Sequence, residues 1–145
     1  MIHVVSRSLS PRAESGLLKY QAEVDAGIDY EACVLLAAEK FKLRNTPRNR
    51  VFQEVRTTLN AMCSGAQRCM YCEDSAAVEV EHHHPKAHYP ELAFAWENYL
   101  YACGPCNRPK NSKFAIFSQT GKPVLIFRKA KDPFKPPPLA GVYSK

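Results

Sequence analysis

Residues 69–107 read CMYCEDSAAVEVEHHHPKAHYPELAFAWENYLYACGPCN. The stretch opens on Cys69-Met70-Tyr71-Cys72 and closes on Cys103-Gly104-Pro105-Cys106, two CxxC knuckles that can bring four thiolates to one tetrahedral zinc. Disulfide scaffolds do not need this spacing, and a thioredoxin-like use would need one motif in a βαβ context, which is missing here. The chain between the knuckles is longer than a simple zinc ribbon uses. Val78-Glu79-Val80-Glu81 alternates as a strand does and runs into His82-His83-His84-Pro85, and Asn98-Tyr99-Leu100-Tyr101 reads as a returning strand. A helix is expected to start between Asn107 and Phe114. Strand, loop, strand and helix, stapled at the base by zinc, make a ββα unit.

Working outward, Cys33 falls on the apolar stripe of an expected helix and reads as a buried, inert thiol. Cys63 lies outside both knuckles. Pro11 to Ala26 is expected to hold one helix, marked weakly by Leu17, Leu18, Tyr20 and Val24. A second follows Asp29 as N-cap, with Tyr30, Cys33, Val34, Ala37, Ala38 and Phe41 repeating as one clean buried face. Thr46-Pro47 gives a cap and first-turn pair for a third, with Val51, Val55, Leu59 and Met62 on one side. The fold class is therefore α+β: a helical cap over 1–66, the zinc-stapled unit over 67–117, and a strand with a basic, Pro-rich tail over 118–145. In that tail Val124 to Phe127 is the strand candidate.

At 145 residues the chain has the length of one ordinary domain. Its opening residues lack the apolar run of a signal peptide, and no later stretch would span a bilayer, so a cytoplasmic location without membrane partners is expected. The net charge of +6 is unevenly spread. Nine Lys or Arg and one acid follow Asn107, whereas residues 1–107 carry 11 basic against 13 acidic side chains. A local basic surface of this kind suits a polyanion, and Lys110, Arg128, Lys129 and Lys131 are the expected nucleic-acid contacts; a solvated tail would have the same composition.

Beyond these patterns, the stretch resembles the HNH endonuclease family. The resemblance rests on Glu81-His82 with Pro85 three residues after the histidine, on Asn98 before apolar residues, and on the second knuckle followed at once by Asn107 and then by Lys110. It covers about fifty residues. More loosely, Glu81 to Lys86 with Trp96-Glu97-Asn98 looks like HNH proteins of bacterial anti-phage defence. What the resemblance implies is a ββα-metal nuclease acting on nucleic acid, with DNA favoured, in which His82, Asn98 and Asn107 are the catalytic residues. Asn98 would brace the loop and orient the backbone of His82.

The chemistry of these residue types agrees with those roles. An imidazole has the intrinsic pKa to take a proton from water near neutrality. A hard divalent cation such as magnesium takes oxygen donors, and the Glu81 carboxylate with the Asn107 carbonyl would supply two. Lys110 would meet phosphate as a point charge. Each residue also has a plainer reading. The three histidines could be exposed strand-end residues or a metal patch, although the count from Pro85 selects His82 as the base. Glu79 reads more simply as an exposed strand carboxylate than as a partner of the site, and Trp96 as filler beside the zinc. The whole stretch also suits a zinc-stabilised module that binds nucleic acid without cutting, and the helical cap could serve a protein partner.

Overall fold

Three helices, each begun by a side-chain cap, precede the cysteine-rich stretch. The computed structural model describes residues 5–63, 65, 67–74, 76–117 and 121–125. Helix α1 spans Pro11–Asp25. Ser10 caps it by accepting from Ala13 N, with Pro11 preset for the first turn. The same serine donates from N and Oγ to the Glu54 carboxylate at 2.6 and 2.9 Å, which ties the start of α1 to the third helix.

Helix α2 spans Tyr30–Arg44, and its cap is Asp29 as expected, accepting from Ala32 N at 2.8 Å. Helix α3 spans Arg50–Met62 and begins later than Thr46-Pro47 predicts. Thr46 O accepts from Asn49 N at 3.2 Å in a turn, and Asn49 then caps α3 by accepting from Val51 N and Phe52 N. Arg56 of α3 reaches back to Thr46 O and to the Asn45 side chain, closing the α2–α3 corner.

The apolar residues of these helices enter one continuous buried cluster that also takes in the cysteine-rich stretch. Leu17, Val24, Ala37, Phe41, Phe52, Val55 and Leu59 are buried within it, each large side chain contributing about 1.5–3 kcal/mol. The stripe on α2 is not wholly buried, however. Cys33, Ala37 and Phe41 face the core, whereas Val34 is only half-buried and Ala38 is exposed, and both line a cleft described below. Among the described residues no helix is long and apolar enough to cross a membrane.

Strand β1, Glu79–His82, pairs antiparallel with β2, Tyr99–Ala102. Both lie one residue later than the alternation predicts. The register sets Glu79 opposite Ala102 and His82 opposite Tyr99. Asn98 ends a short 3-10 turn, Trp96–Asn98, and so stands just before β2. Helix α4, Gly104–Lys110, starts within the second knuckle rather than after it. Cys106 N and Asn107 N both donate to Cys103 O, at 3.1 and 2.9 Å, and so open the helix. The ββα arrangement is thus present, with the helix shifted towards the cysteines.

A second small hairpin follows, β3 (Ala115–Phe117) against β4 (Pro123–Leu125). The sequence predicts a strand from Val124 but not its partner; Ile126 and Phe127 lie outside the described residues, as do Arg128, Lys129 and Lys131 of the basic tail.

Candidate metal centre and cleft

The four knuckle cysteines come together, their sulfurs all within 4.8 Å of one another. A tetrahedral zinc with Zn–S near 2.3 Å spaces its sulfurs by about 3.8 Å, and Cys72 Sγ lies 3.8 Å from Cys103 Sγ. Four soft thiol donors of this spacing fit a structural zinc. Backbone amides serve the site: Tyr71 N and Cys103 N each donate to Cys69 Sγ at 3.4 Å. Burial opposes ionisation of Cys69, but amides of Cys72, Cys103 and Tyr71 outweigh it and hold the thiol down to about 6. Met70, between the first two cysteines, is buried and donates from N to Tyr101 O at 2.9 Å, so the first knuckle is fastened to β2. Cys33 and Cys63 stand apart from the cluster. Burial raises the Cys33 thiol, as its place on α2 predicts.

Because the second knuckle is also the first turn of α4, the sulfurs fix where Asn107 and Lys110 project. Three residues apart, these two share a helix face and meet β1. Asn107 Nδ2 donates to Glu79 Oε2 at 2.6 Å. Lys110 Nζ donates to Glu81 Oε1 and to His82 O, both at 2.7 Å. The second Glu81 oxygen accepts from Tyr71 Oη at 3.0 Å. The carboxylate bonded to Asn107 is therefore Glu79, and Lys110 is engaged by Glu81.

Glu81 is 4% exposed. Burial pushes its carboxyl above the ordinary range, and the Lys110 hydrogen bond and charge pull it back. Burial also raises Tyr71, helped by the Glu81 charge, so its phenol stays a donor.

His82 is equally enclosed, at 4% exposed. Its ring lies 4.4 Å from that of Phe41 and 5.4 Å from that of Tyr99. Nε2 is 2.9 Å from Ala93 O. A carbonyl oxygen only accepts, so the neutral ring carries its proton on Nε2 and its lone pair on Nδ1. Burial, with the charge of Lys86, lowers this imidazole to about 3, which keeps it neutral at physiological pH. Ala93 O also accepts from Tyr99 Oη at 2.9 Å. The loop that presents it is held by α1, where Gln21 donates to Pro90 O and accepts from Phe94 N.

Asn98 braces the loop after β1, but at His84 rather than at His82. Its Oδ1 accepts from His84 N at 2.7 Å, its Nδ2 donates to His84 O at 3.0 Å and to Leu92 O at 2.9 Å, and its own carbonyl accepts from His83 N. His83 meets the Phe114 ring edge-on and His84 lies tilted against it, and burial lowers His83 to about 4. Trp96 packs partly buried against the core cluster that includes Cys69 and Cys103. Its indole packs near Tyr99 and donates to Arg7 O at 2.8 Å, clasping the N-terminal segment.

A cleft of about 620 Å³ brings Glu81, His82 and Asn107 together with Glu79, Lys86 and Arg108. Its opposite wall is α2, through Val34, Ala38 and Phe41. Lys86 Nζ lies 5.0 Å over the Phe41 ring, and burial lowers its ammonium against the opposing pull of Glu81. Among the described residues the four cysteines are the sole cluster of three or more His, Cys, Asp or Glu ligand groups. Sequence reasoning undervalued Glu79, whose signal was its place two residues before Glu81 on the same strand face. It missed Tyr71 and the Ala93 carbonyl, which carry no residue-type signal.

No family model matches the chain, and neither does any solved structure. A likeness is found to part of a Septu protein. PtuB of Bacillus thuringiensis is 42% identical over 50 residues, covering 31% of this chain and 20% of the relative. The chain spans about a fifth of the length of that relative. A partial likeness to a Septu protein and a four-cysteine metal site beside a ββα unit are therefore what the chain shows.

Proposed function

We propose that the chain is an HNH-type endonuclease that hydrolyses phosphodiester bonds of nucleic acid, DNA being favoured, in bacterial anti-phage defence or restriction. The observation that carries this reading is the cleft that gathers Glu81, Asn107 and His82. His82 Nε2 is committed to Ala93 O, which leaves the Nδ1 lone pair to take a proton from water. Burial and neighbouring positive charge keep the ring neutral. Such a pKa makes it a weak base, so the cost falls on proton transfer rather than on the population of the competent form.

Glu81 and Asn107 supply oxygens to a divalent cation, magnesium in this reading, in the same cleft as His82. Each Glu81 oxygen keeps a lone pair beyond its bond to Lys110 or Tyr71, so the donor set fits a hard cation. The cation when bound offsets charge building on the phosphoryl and leaving oxygens. Lys86, Lys110 and Arg108 bring positive charge to the polyanion. The basic tail, through Arg128, Lys129 and Lys131, extends that surface. Asn98 keeps the loop after His82 in one conformation, and the zinc site anchors Asn107.

The defence role rests on the partial likeness to PtuB and on the sequence resemblance. A protein partner of the helical cap would find exposed apolar side chains there, Leu18, Ile28, Leu35 and Leu43 among them. One observation favours a non-cutting nucleic-acid module instead, namely the near-complete enclosure of the His82 ring. Magnesium- or manganese-dependent cleavage of plasmid DNA by the zinc-loaded protein, with His82→Ala as control, separates the two. Cutting lost by several orders of magnitude in the variant supports the nuclease; no cutting by the native chain supports the module.

A further inference from the structure

Strand β1 presents two carboxylates on one face, Glu79 and Glu81, and the nuclease reading uses only the second. Glu79 Oε2 accepts from Asn107 Nδ2 at 2.6 Å. A carboxylate has no proton to offer, so the amide prong facing it must be the NH2 group. The carbonyl prong, Oδ1, is thereby turned away from Glu79. The distinction matters chemically: a hard cation takes the oxygen of an amide and is repelled by its NH2 group, and an amide free to flip offers both.

A second observation shows that α4 makes room for this carboxylate. A Cβ built on Gly104, in the first turn of α4, would lie 3.2 Å from Glu79 Oε1, tighter than ordinary contact. The absence of a side chain at 104 lets Glu79 settle against the turn that leads to Asn107.

We propose that Glu79 is a positioning residue that fixes the Asn107 amide with Oδ1 presented to the divalent cation, without binding the cation itself. The assignment rests on the nuclease reading and specifies how its amide ligand is oriented. Partners that orient a ligand in this way typically change metal affinity or activity by roughly 10–100-fold when removed.

The test uses the zinc-loaded chain, with Mn2+ binding followed by calorimetry or electron paramagnetic resonance, and cleavage measured alongside. Zinc content and thermal midpoint are checked for every variant. Glu79→Ala should weaken Mn2+ binding by roughly 10–100-fold, while Glu79→Gln, which keeps a neutral acceptor for Asn107 Nδ2, should recover most of the loss. Asn107→Asp alone sets two carboxylates against each other and should bind poorly. Adding Glu79→Gln restores a hydrogen bond of reversed polarity and should rescue it. The proposal is overturned if Glu79→Gln is as impaired as Glu79→Ala with no rescue of Asn107→Asp, which would make Glu79 a ligand. It is equally overturned if Glu79→Ala leaves Mn2+ affinity unchanged, which would make the contact structural. A native protein that neither binds Mn2+ nor cuts overturns the nuclease reading along with it, and that result is visible before any variant is made.

Discussion

Lys110 Nζ lies 2.7 Å from Glu81 Oε1, a side chain of 16% exposure against one of 4%. The ammonium also caps the carbonyl of His82, so a charge of the chain's own is fixed over the strand end that carries the histidine. Removing one member of a pair this enclosed strands the other in a poorly solvated place. Lys110→Met should cost about 3 kcal/mol in denaturant unfolding. Adding Glu81→Gln should return much of it, because no unpaired charge remains. Equal stability of Lys110→Met and native protein would mean that the pair is too solvated to matter.

A different dependence follows from the histidines. In the folded chain His82 is held to about 3 and His83 to about 4, below the ordinary 6.5. Between those values the unfolded chain binds protons that the folded chain refuses. Stability is thus fully present above about pH 6.5 and falls as pH is lowered towards 4, by up to about 1.4 kcal/mol per pH unit for each group. Urea midpoints in magnesium-free buffer should trace this decline. His82→Gln, which keeps a donor for Ala93 O and does not titrate, should remove its share of the decline and leave the part due to His83; a variant profile that overlays the native one would remove His82 as a cause.

The sulfur cluster predicts one zinc per chain. Its loss should release both knuckles at once, and with them β2 and α4, since binding energy of a structural zinc is also folding energy. Metal analysis after purification without chelator should give close to one equivalent, and Cys69→Ser with Cys106→Ser should lose both zinc and the ordered ββα unit. A metal-free protein that keeps its fold would refute this.

Glu73 offers a test of backbone strain. Directly after Cys72, exposed, it has φ +64 while its N donates to Cys69 O at 2.9 Å to close the knuckle turn. A non-glycine residue in that region costs about 1–2 kcal/mol, so Glu73→Gly should raise stability by about 1 kcal/mol with zinc content unchanged. A fall in the thermal midpoint would show that the Glu73 side chain contributes more than its backbone costs.

Much of this arrangement was legible in the sequence wherever the signal is local. The paired knuckles announce four converging sulfurs by spacing alone, and Asp29 announces α2 because a cap acts within three residues. The start of α3 was harder: Asn45, Thr46 and Asn49 are all capping residue types, and the turn through Thr46 decides among them. Periodicity placed Val34 and Ala38 on a buried face, and the structure gives them instead to a cleft wall. The bonds that define the candidate site are non-local. Asn107 meets Glu79 across 28 residues of chain, and His82 meets a backbone carbonyl that no residue type advertises. β3 escaped because it has only three residues, too few for alternation to show, whereas β4 overlaps the strand expected from Val124.

Gln21 bonds to Pro90 O and Phe94 N, 69 and 73 positions further along the chain, and those residues flank the Ala93 oxygen on which His82 rests. Which nitrogen of that imidazole carries the proton is therefore decided partly from the first helix. A transplant of the cysteine-bounded segment onto a foreign scaffold would carry the zinc and the histidine but leave behind the grip on the loop, and the ring would be free to choose either tautomer. The smallest portable unit of this chemistry is consequently not a contiguous piece of sequence.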